Sequence, residues 1–575
     1  MKKITTILLF IFVALYFYRP VETEDIGLHI ATGRWISEHQ QIPRINIFPL
    51  ADEQTPWIWT QWLGSLTFFK VYDAADIQGL KIFRSVLFLL ILLMFYFFAR
   101  KRIPSVMLLA LVFVLTFAVE TRALLRPIIF NLIFIQIFLS ILFAYQQRQS
   151  KTIYWLPLLT VIWFNTHLGC LFYGVSLVGL FFVSLRTKKM FWIFIGCLFA
   201  MMLNPYGLEG VIYPLQVMIP TVGAEQLGRT FAEYLPPLYI LTRKGLWFYV
   251  LLGGVIASFF YNRKNNFTHI ILFVFALFFF LYGARSSGLF IFTSAYIIAQ
   301  SCANINLIKQ WGDYSLSKML DRLFLTCLII VLCFNLVHLF QRKLIVGDAA
   351  QTYLSLKYDP YNVVNAVGFL NQNQIKGNVF CWPMYSGYLL WKSYPDLKLF
   401  VDSRDKDLPT MNEYYLVSLF PEKYWPNVEE KYNLTIAILE ANAGFQSKII
   451  KYLNVSDQWR LAFLEGSSMV FLKHDAVMLP NYLEDQLKDV KYDKQQGQEA
   501  LAKVQKRKAN FILNYLNPSP EYNRFQTEAV NLFFFGYVDA AMDKMRQALL
   551  VEPTTRMKEI FEILEGERDR LQGSN

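Results

Sequence analysis

Charge is what this sequence has least of. Asp, Glu, Lys and Arg together make up 17% of the 575 residues, against about a quarter in a soluble globular chain. Hydrophobic residues reach 55% and aromatics 17%, with 52 Phe. That balance excludes an ordinary water-soluble enzyme and points to lipid as the main solvent. Cysteine is also scarce. Of the six, Cys170, Cys197, Cys302, Cys327 and Cys333 lie in apolar stretches. Only Cys381 lies in the polar C-terminal half, so no disulfide can form within that half. No CxxC or Cys/His spacing of a zinc site occurs. Neither GxxxxGK[ST] nor GxGxxG occurs, which excludes the usual nucleotide-phosphate loops. The net charge is +12, yet the basic residues sit in short gaps between apolar runs and no basic groove motif accompanies them. The excess therefore reads as membrane topology and not as nucleic-acid binding. A small-residue cleavage site is missing after the first apolar run, 4–18. Arg19-Pro20-Val21-Glu22 follows instead, so the run reads as a retained membrane helix.

Apolar runs recur near 4–18, 82–99, 104–119, 128–144, 153–166, 170–185, 191–203, 246–261, 268–282, 288–303 and 323–340, which predicts about eleven crossings. Lys2-Lys3 places the N-terminus in the cytoplasm. Every second gap then carries the basic residues: Arg100-Lys101-Arg102, Arg148 with Lys151, Arg186 with Lys188 and Lys189, Arg263-Lys264, and Lys309 with Lys318 and Arg322. The alternate gaps carry Glu22, Glu24, Asp25 and His29; Glu120, Arg122 and Arg126; Asn165 and His167; Asn204, Glu209 and Glu233; and Arg285. This alternation predicts a polytopic α-helical protein of a bacterial inner membrane, with its polar residues gathered at the extracytoplasmic face.

Three regions follow: a membrane module over 1–340 with a long outside loop at 20–80, an extracytoplasmic α/β domain over 341–483, and a short helical tail over 484–575. The loop at 204–245, rich in Pro, Gly and aromatics, reads as interfacial. In the second region, β-like runs at Asn378–Trp382, Lys398–Val401, Leu434–Leu439 and Ser468–Leu472 alternate with helix-like stretches such as Val363–Gln372. In the tail, Ala529, Gly536-Tyr537, Ala540, Ala548 and Pro553 fit one tetratricopeptide-like helix pair at about 522–553. A single repeat cannot form a solenoid, so it would cap the domain or dock a protein partner.

Five clusters could carry chemistry. Glu22-Thr-Glu24-Asp25 with His29 gathers three carboxylates and an imidazole within eight residues. It could supply a base, or hold a divalent cation such as Mg or Mn through Glu24 and Asp25; it could equally be a solvated loop. Trp57-Ile-Trp59-Thr-Gln61-Trp62 could stack on sugar rings or form an interfacial belt. Arg122, Arg126 and Arg285 could bind a lipid phosphate bidentately or snorkel to headgroups. Asn165-Thr-His167 with Gly169 could face the polar loop or hydrogen-bond structurally. Asn204-Pro205-Tyr206-Gly207 could be a site element or a turn that ends a helix. In the soluble half, Asp402-Ser-Arg404-Asp405 reads as a salt bridge.

Taken in order, Asp25-Ile-Gly-Leu-His29, Thr32-Gly33-Arg34-Trp35-Ile36, Thr60-Gln61-Trp62, Arg126-Pro127, Asn165-Thr-His167-Leu-Gly169, Asn204-Pro205-Tyr206-Gly207 and Ala284-Arg285 resemble the GT-C class of membrane glycosyltransferases. More narrowly they resemble its protein-mannosyltransferase-like group and a bacterial branch of it. Tyr385-Ser-Gly387-Tyr388 and Val401-Asp402-Ser-Arg404 look like that branch's soluble domain. The chain departs from the branch at Thr23, where an acid is expected, and at Thr60-Gln61, where His-Glu is expected. The resemblance implies transfer of a sugar from a polyprenyl-phosphate donor to an acceptor on the outer face, with inversion. Asp25, Glu24 and Glu22 are the implied acid/base candidates. His29, Arg34, Gln61, Arg122, Arg126, Asn165, His167, Asn204 and Arg285 are the implied substrate contacts. The two departures leave a second expectation open, a non-catalytic membrane scaffold for envelope polysaccharide or lipoprotein assembly.

Overall fold

In a computed structural model, the chain divides into two compact units: Met1–Arg44 with Pro56–Thr352, and Ile45–Thr55 with Tyr353–Asn575. The structure describes residues 1–19, 21, 25–51, 55–218, 238–261, 267–302, 314–345, 362–402, 408–441, 444–476, 479, 482–490, 520–551, 561–562, 564–566 and 568–570.

The first unit is helical, because apolar runs in lipid must satisfy every backbone group within the segment. Its N-terminal part comprises α1 (Lys2–Phe17), α2 (Asp25–His39), α3 (Trp62–Ala99), α4 (Ser105–Val119), α5 (Ile129–Arg148), α6 (Leu156–Thr166), α7 (Ser176–Leu185) and α8 (Lys188–Ala200). Sequence signals set several ends. Pro104 precedes α4, Pro157 sits in the first turn of α6, and the Thr187 side chain accepts from the Met190 N–H to cap α8. Among the described residues, four helical stretches are long and apolar enough to cross a membrane: Trp62–Ala99, Ser105–Arg122, Ile129–Arg148 and Lys318–Val337. Cys170–Leu185, Gly245–Phe260 and Phe267–Tyr282 are shorter apolar helices. The chain is thus a multi-pass membrane protein, and helix length among the described residues shows four of the expected eleven crossings.

The crossing expected at 82–99 lies in the second half of α3; this helix begins twenty residues earlier, at Trp62, and breaks at Ala75 and Asp76. Its first half carries Lys70, Asp73 and Asp76, which hide it from a hydropathy reading. The 20–80 segment is therefore mostly two helices. These pack with backbones touching: a Cβ on Gly33 would lie 2.4 Å from the Ser65 carbonyl oxygen. The α3 axis breaks at Ala75 (φ −151°, ψ 22°) and Asp76 (φ 52°, ψ −153°). Below the break, buried Arg84 donates from Nε to the Phe17 carbonyl (3.0 Å) and from a terminal nitrogen to the Arg19 carbonyl. Ser85 donates to the Ala14 carbonyl (2.6 Å). These donors satisfy carbonyls that the end of α1 leaves without helical partners.

The second unit is built on a five-stranded sheet in the order β2-β1-β3-β5-β4. Its strands are β1 (Gly377–Cys381), β2 (Leu397–Leu399), β3 (Leu434–Glu440), β4 (Trp459–Glu465) and β5 (Ser468–Lys473). β2, β1 and β3 run parallel, while β5 is antiparallel to both β3 and β4. Four strands match the expected runs. β4 was not expected, because it is an edge strand with a register shift between Leu461 and Phe463 that breaks its alternation. The opposite edge, β2, is covered by the early segment 45–55. Leu50 donates its N–H to the Leu399 carbonyl (2.7 Å), and Tyr394 Oη donates to the Ile47 carbonyl (3.0 Å). In the tail, helices Pro520–Phe534 and Val538–Val551 share a core of Ala529, Met542, Met545, Ala548 and Leu549. This pair seats on the β4–β5 turn: Gly466 N–H donates to Glu528 Oε1 (2.9 Å), and Asn531 Nδ2 donates to the Gly466 carbonyl (3.2 Å). Asp402 is fully buried, and Arg404, its expected partner, lies outside the described residues.

Candidate functional site

Asp25 opens α2, where the positive helix N-terminus favours a carboxylate. Its Oδ2 lies 2.8 Å from Nε of Arg126, and both side chains are about a quarter exposed (29% and 23%). Arg126 sits in the irregular turn between α4 and α5, followed by Pro127. This is a charged pair that solvent or a substrate can reach. Glu22 and Glu24, the other two expected acids, lie outside the described residues.

One turn along α2 from Asp25, His29 is buried and its Nδ1 meets Ser65 Oγ at 2.9 Å. The same oxygen accepts from the Trp59 indole N–H (3.0 Å). The Trp62 indole donates to Asn165 Oδ1 (2.8 Å), and Asn165 Nδ2 donates to the carbonyls of Val161 (2.8 Å) and Leu203 (3.0 Å). Two of the tryptophans are therefore anchored by specific polar partners. Gln61, at the N-cap position of α3, is half-buried between them.

His167 caps the C-terminus of α6 in extended geometry. Its Nδ1 accepts from the Gly169 N–H (2.8 Å) and from Asn131 Nδ2 (3.1 Å). The Asn131 orientation follows from its oxygen, which accepts from the Trp163 indole (2.7 Å). Nδ1 is therefore an acceptor, and the ring proton sits on Nε2. Burial, and then the charges of Arg285 and His29, push the imidazole down to about 3. His167 is thus a neutral donor at physiological pH. A narrow cavity beside it is lined by Arg122, Asn131, Tyr173 and Arg285, with Tyr173 Oη 2.9 Å from Ser286 Oγ. The cavity, about 10 Å³, has room for roughly one water, and it brings two guanidinium groups together.

Two expected residues stand apart from this cluster. Asn204 is engaged in its own turn: Nδ2 donates to the carbonyls of Met201 (2.9 Å) and Gly207 (2.7 Å), and Oδ1 accepts from the Tyr206 N–H (2.8 Å). Tyr206 then ties down the first loop, donating to the Pro43 carbonyl (2.7 Å) and accepting from the Trp59 N–H (2.9 Å). Arg34 lies nine residues beyond Asp25 on α2, roughly 13 Å along its axis. Ser65, Asn131, Trp163 and Tyr173 were missed by the sequence reading. Asn131 had a signal, because an amide inside an apolar run demands a partner.

Among the described residues, no group of three or more His, Cys, Asp or Glu could hold a metal ion. Of the two expected ligands, Asp25 is already paired with Arg126, and Glu24 is not among the described residues.

In sequence, no protein-family model and no curated protein matches the chain. In structure, the chain is similar to the archaeal oligosaccharyltransferase AglB from Archaeoglobus fulgidus. Against that enzyme in complex with an inhibitory peptide and a dolichol-phosphate, the TM-score is 0.53 at 10% identity, covering 97% of this chain and 86% of that one. Against the form tethered to an acceptor peptide containing an NVT sequon, the values are 0.53 and 12%, covering 84% and 74%. Against the apo form they are 0.51 and 12%, covering 76% and 69%. The fold is therefore GT-C-like, shared across most of both chains with an oligosaccharyltransferase.

Proposed function

We propose that the chain is a glycosyltransferase of a bacterial inner membrane. It would move a sugar from a polyprenyl-phosphate donor to an acceptor on the extracytoplasmic face, where its C-terminal domain also lies. The observation that carries this reading is the accessible Asp25–Arg126 pair in a GT-C-like fold. Asp25 takes the proton of the acceptor hydroxyl as that oxygen attacks the anomeric carbon. The bond from this carbon to the phosphate oxygen breaks, and the phosphate leaves with the electron pair. A single displacement of this kind inverts the anomeric centre. Arg126 neutralises the leaving phosphate, supported by Arg122 and Arg285 and by the Nε2 proton of His167. The Trp57–Trp62 stretch offers aromatic faces to the sugar. The test has two arms. A lipid-linked saccharide co-purifying with the protein, identified by mass spectrometry, would name the donor. With that donor, Asp25→Asn should lower transfer about 10²–10⁴-fold while leaving the fold intact. Full activity in Asp25→Asn, Glu24→Gln and Glu22→Gln alike would overturn the catalytic reading.

A second reading has its own observation. Thr60-Gln61 replaces an expected His-Glu, which removes an imidazole and a carboxylate from the first outside loop. A scaffold for envelope polysaccharide or lipoprotein assembly, docking a partner through the tail helices, would need neither. Failure of any wild-type preparation to bind or turn over a polyprenyl-phosphate sugar would favour it.

A further inference from the structure

We propose that the bend of α3 holds the acyl chain of an anionic phospholipid, with the lipid phosphate on Lys70. The bend encloses a groove of about 700 Å³ lined by Leu63, Leu66, Val71, Ile82, Phe83 and Val86. Ile82 and Val86 remain about half exposed, at 53% and 45%. The polar side chains at this groove are Thr67 and Lys70. Thr67 donates its hydroxyl to the Leu63 carbonyl (2.7 Å), so it adds no free donor. Lys70 is exposed, its Nζ is steadied by Ser37 Oγ at 2.9 Å, and it makes no ion pair among the described residues.

Three further observations select this occupant. The stretch of α3 apolar enough to cross a membrane lies past the bend and carries Ile82, Phe83 and Val86, so lipid bathes that wall of the groove and hydrocarbon fills an apolar groove open to it. The groove is also preformed. Asp76 holds a backbone conformation that glycine alone adopts readily, and Gly79 brings the two halves together, since a Cβ there would lie 2.8 Å from Ala75 Cβ and from the Val71 carbonyl oxygen. Finally, a lone ammonium at the mouth of an apolar groove matches an amphiphile with an anionic head. The head is not the reacting phosphate of a glycosyl donor. Ser37, which marks the position of Lys70, lies twelve residues beyond Asp25 on α2, roughly 18 Å along its axis. The proposal is therefore independent of the catalytic reading.

The experiment uses the full chain in nanodiscs of phosphatidylcholine doped with phosphatidylglycerol. Lipid retained after transfer to detergent is counted by native mass spectrometry. Wild type and Lys70→Arg should retain phosphatidylglycerol over phosphatidylcholine, and Lys70→Gln should lose that preference by about five-fold. Val71→Trp, which fills the groove while leaving Lys70 in place, should lower retention as well. Equal retention of the two lipids by wild type, or unchanged preference in Lys70→Gln, overturns the proposal. So does a prenyl phosphate recovered in place of the phospholipid. If Val71→Trp does not fold, the Lys70→Gln and Lys70→Arg pair decides the matter.

Discussion

The imidazole of His167 is held by two donors on one nitrogen, and both come from groups that cannot easily be replaced. One is a backbone N–H, and the other is an amide already oriented by Trp163. A Cβ on Gly169 would lie 2.4–2.6 Å from the Asn131 amide atoms, so the residue type beside the histidine is constrained as well. The folded protein binds a proton on His167 only near pH 3, whereas the unfolded chain binds it near 6.5. Between those values the unfolded state holds more protons. Stability is therefore unaffected above about pH 6.5 and falls as pH drops from there toward 3. Thermal midpoints measured from pH 7 to 4 should show this acid loss in wild type and a flatter profile in His167→Gln. Parallel profiles would mean that His167 does not control the acid limb. The sequence marked His167, Asn165 and the three arginines, because polar residues at the ends of apolar runs stand out. It could not mark Ser65 or Tyr173. Hydroxyls are common in such runs, and their role emerges only when a partner from a distant helix arrives.

At the scale of elements, the first outside loop was the least legible part of the membrane unit. Its helices are short of apolar residues, and the bend in α3 has no proline to announce it. The bend instead uses Asp76 at φ 52° and ψ −153°, a region that only glycine occupies readily. Asp76→Gly should therefore raise stability by about 1 kcal/mol, the relief of strain being partly offset by the flexibility glycine adds to the unfolded chain. Denaturation of purified protein would check this. A lower midpoint in Asp76→Gly would show that the carboxylate itself supports the bend. The strands of the second unit were easier to read. β1, β3 and β5 each carry a short buried apolar stretch (Val379–Cys381, Ile436–Leu439 and Met469–Leu472), and only the bulged edge strand β4 escaped.

For the whole molecule, the alternation of basic and polar gaps remains the guide to orientation. Alkaline phosphatase fused after residue 345 should be active and after Lys264 inactive. The reverse pattern would move the Asp25–Arg126 pair to the cytoplasmic side. The fold class was visible in composition and in the order of motifs; the grouping of 45–55 with the second unit was not, because nothing local in that stretch names a partner in the other half of the chain. Tyr394 and Ile47, joined by a hydrogen bond, are 347 positions apart. On a ribosome adding about 5–20 residues per second, the segment waits roughly 17–70 s for the strand whose edge it covers. A fragment beginning at residue 353 would carry β2 without that cover, leaving an edge open to pairing with other copies. The soluble half is therefore not a contiguous cassette: its first segment finds its place only after β2 has been made, and grafting the half elsewhere requires supplying residues 45–55 as a separate piece.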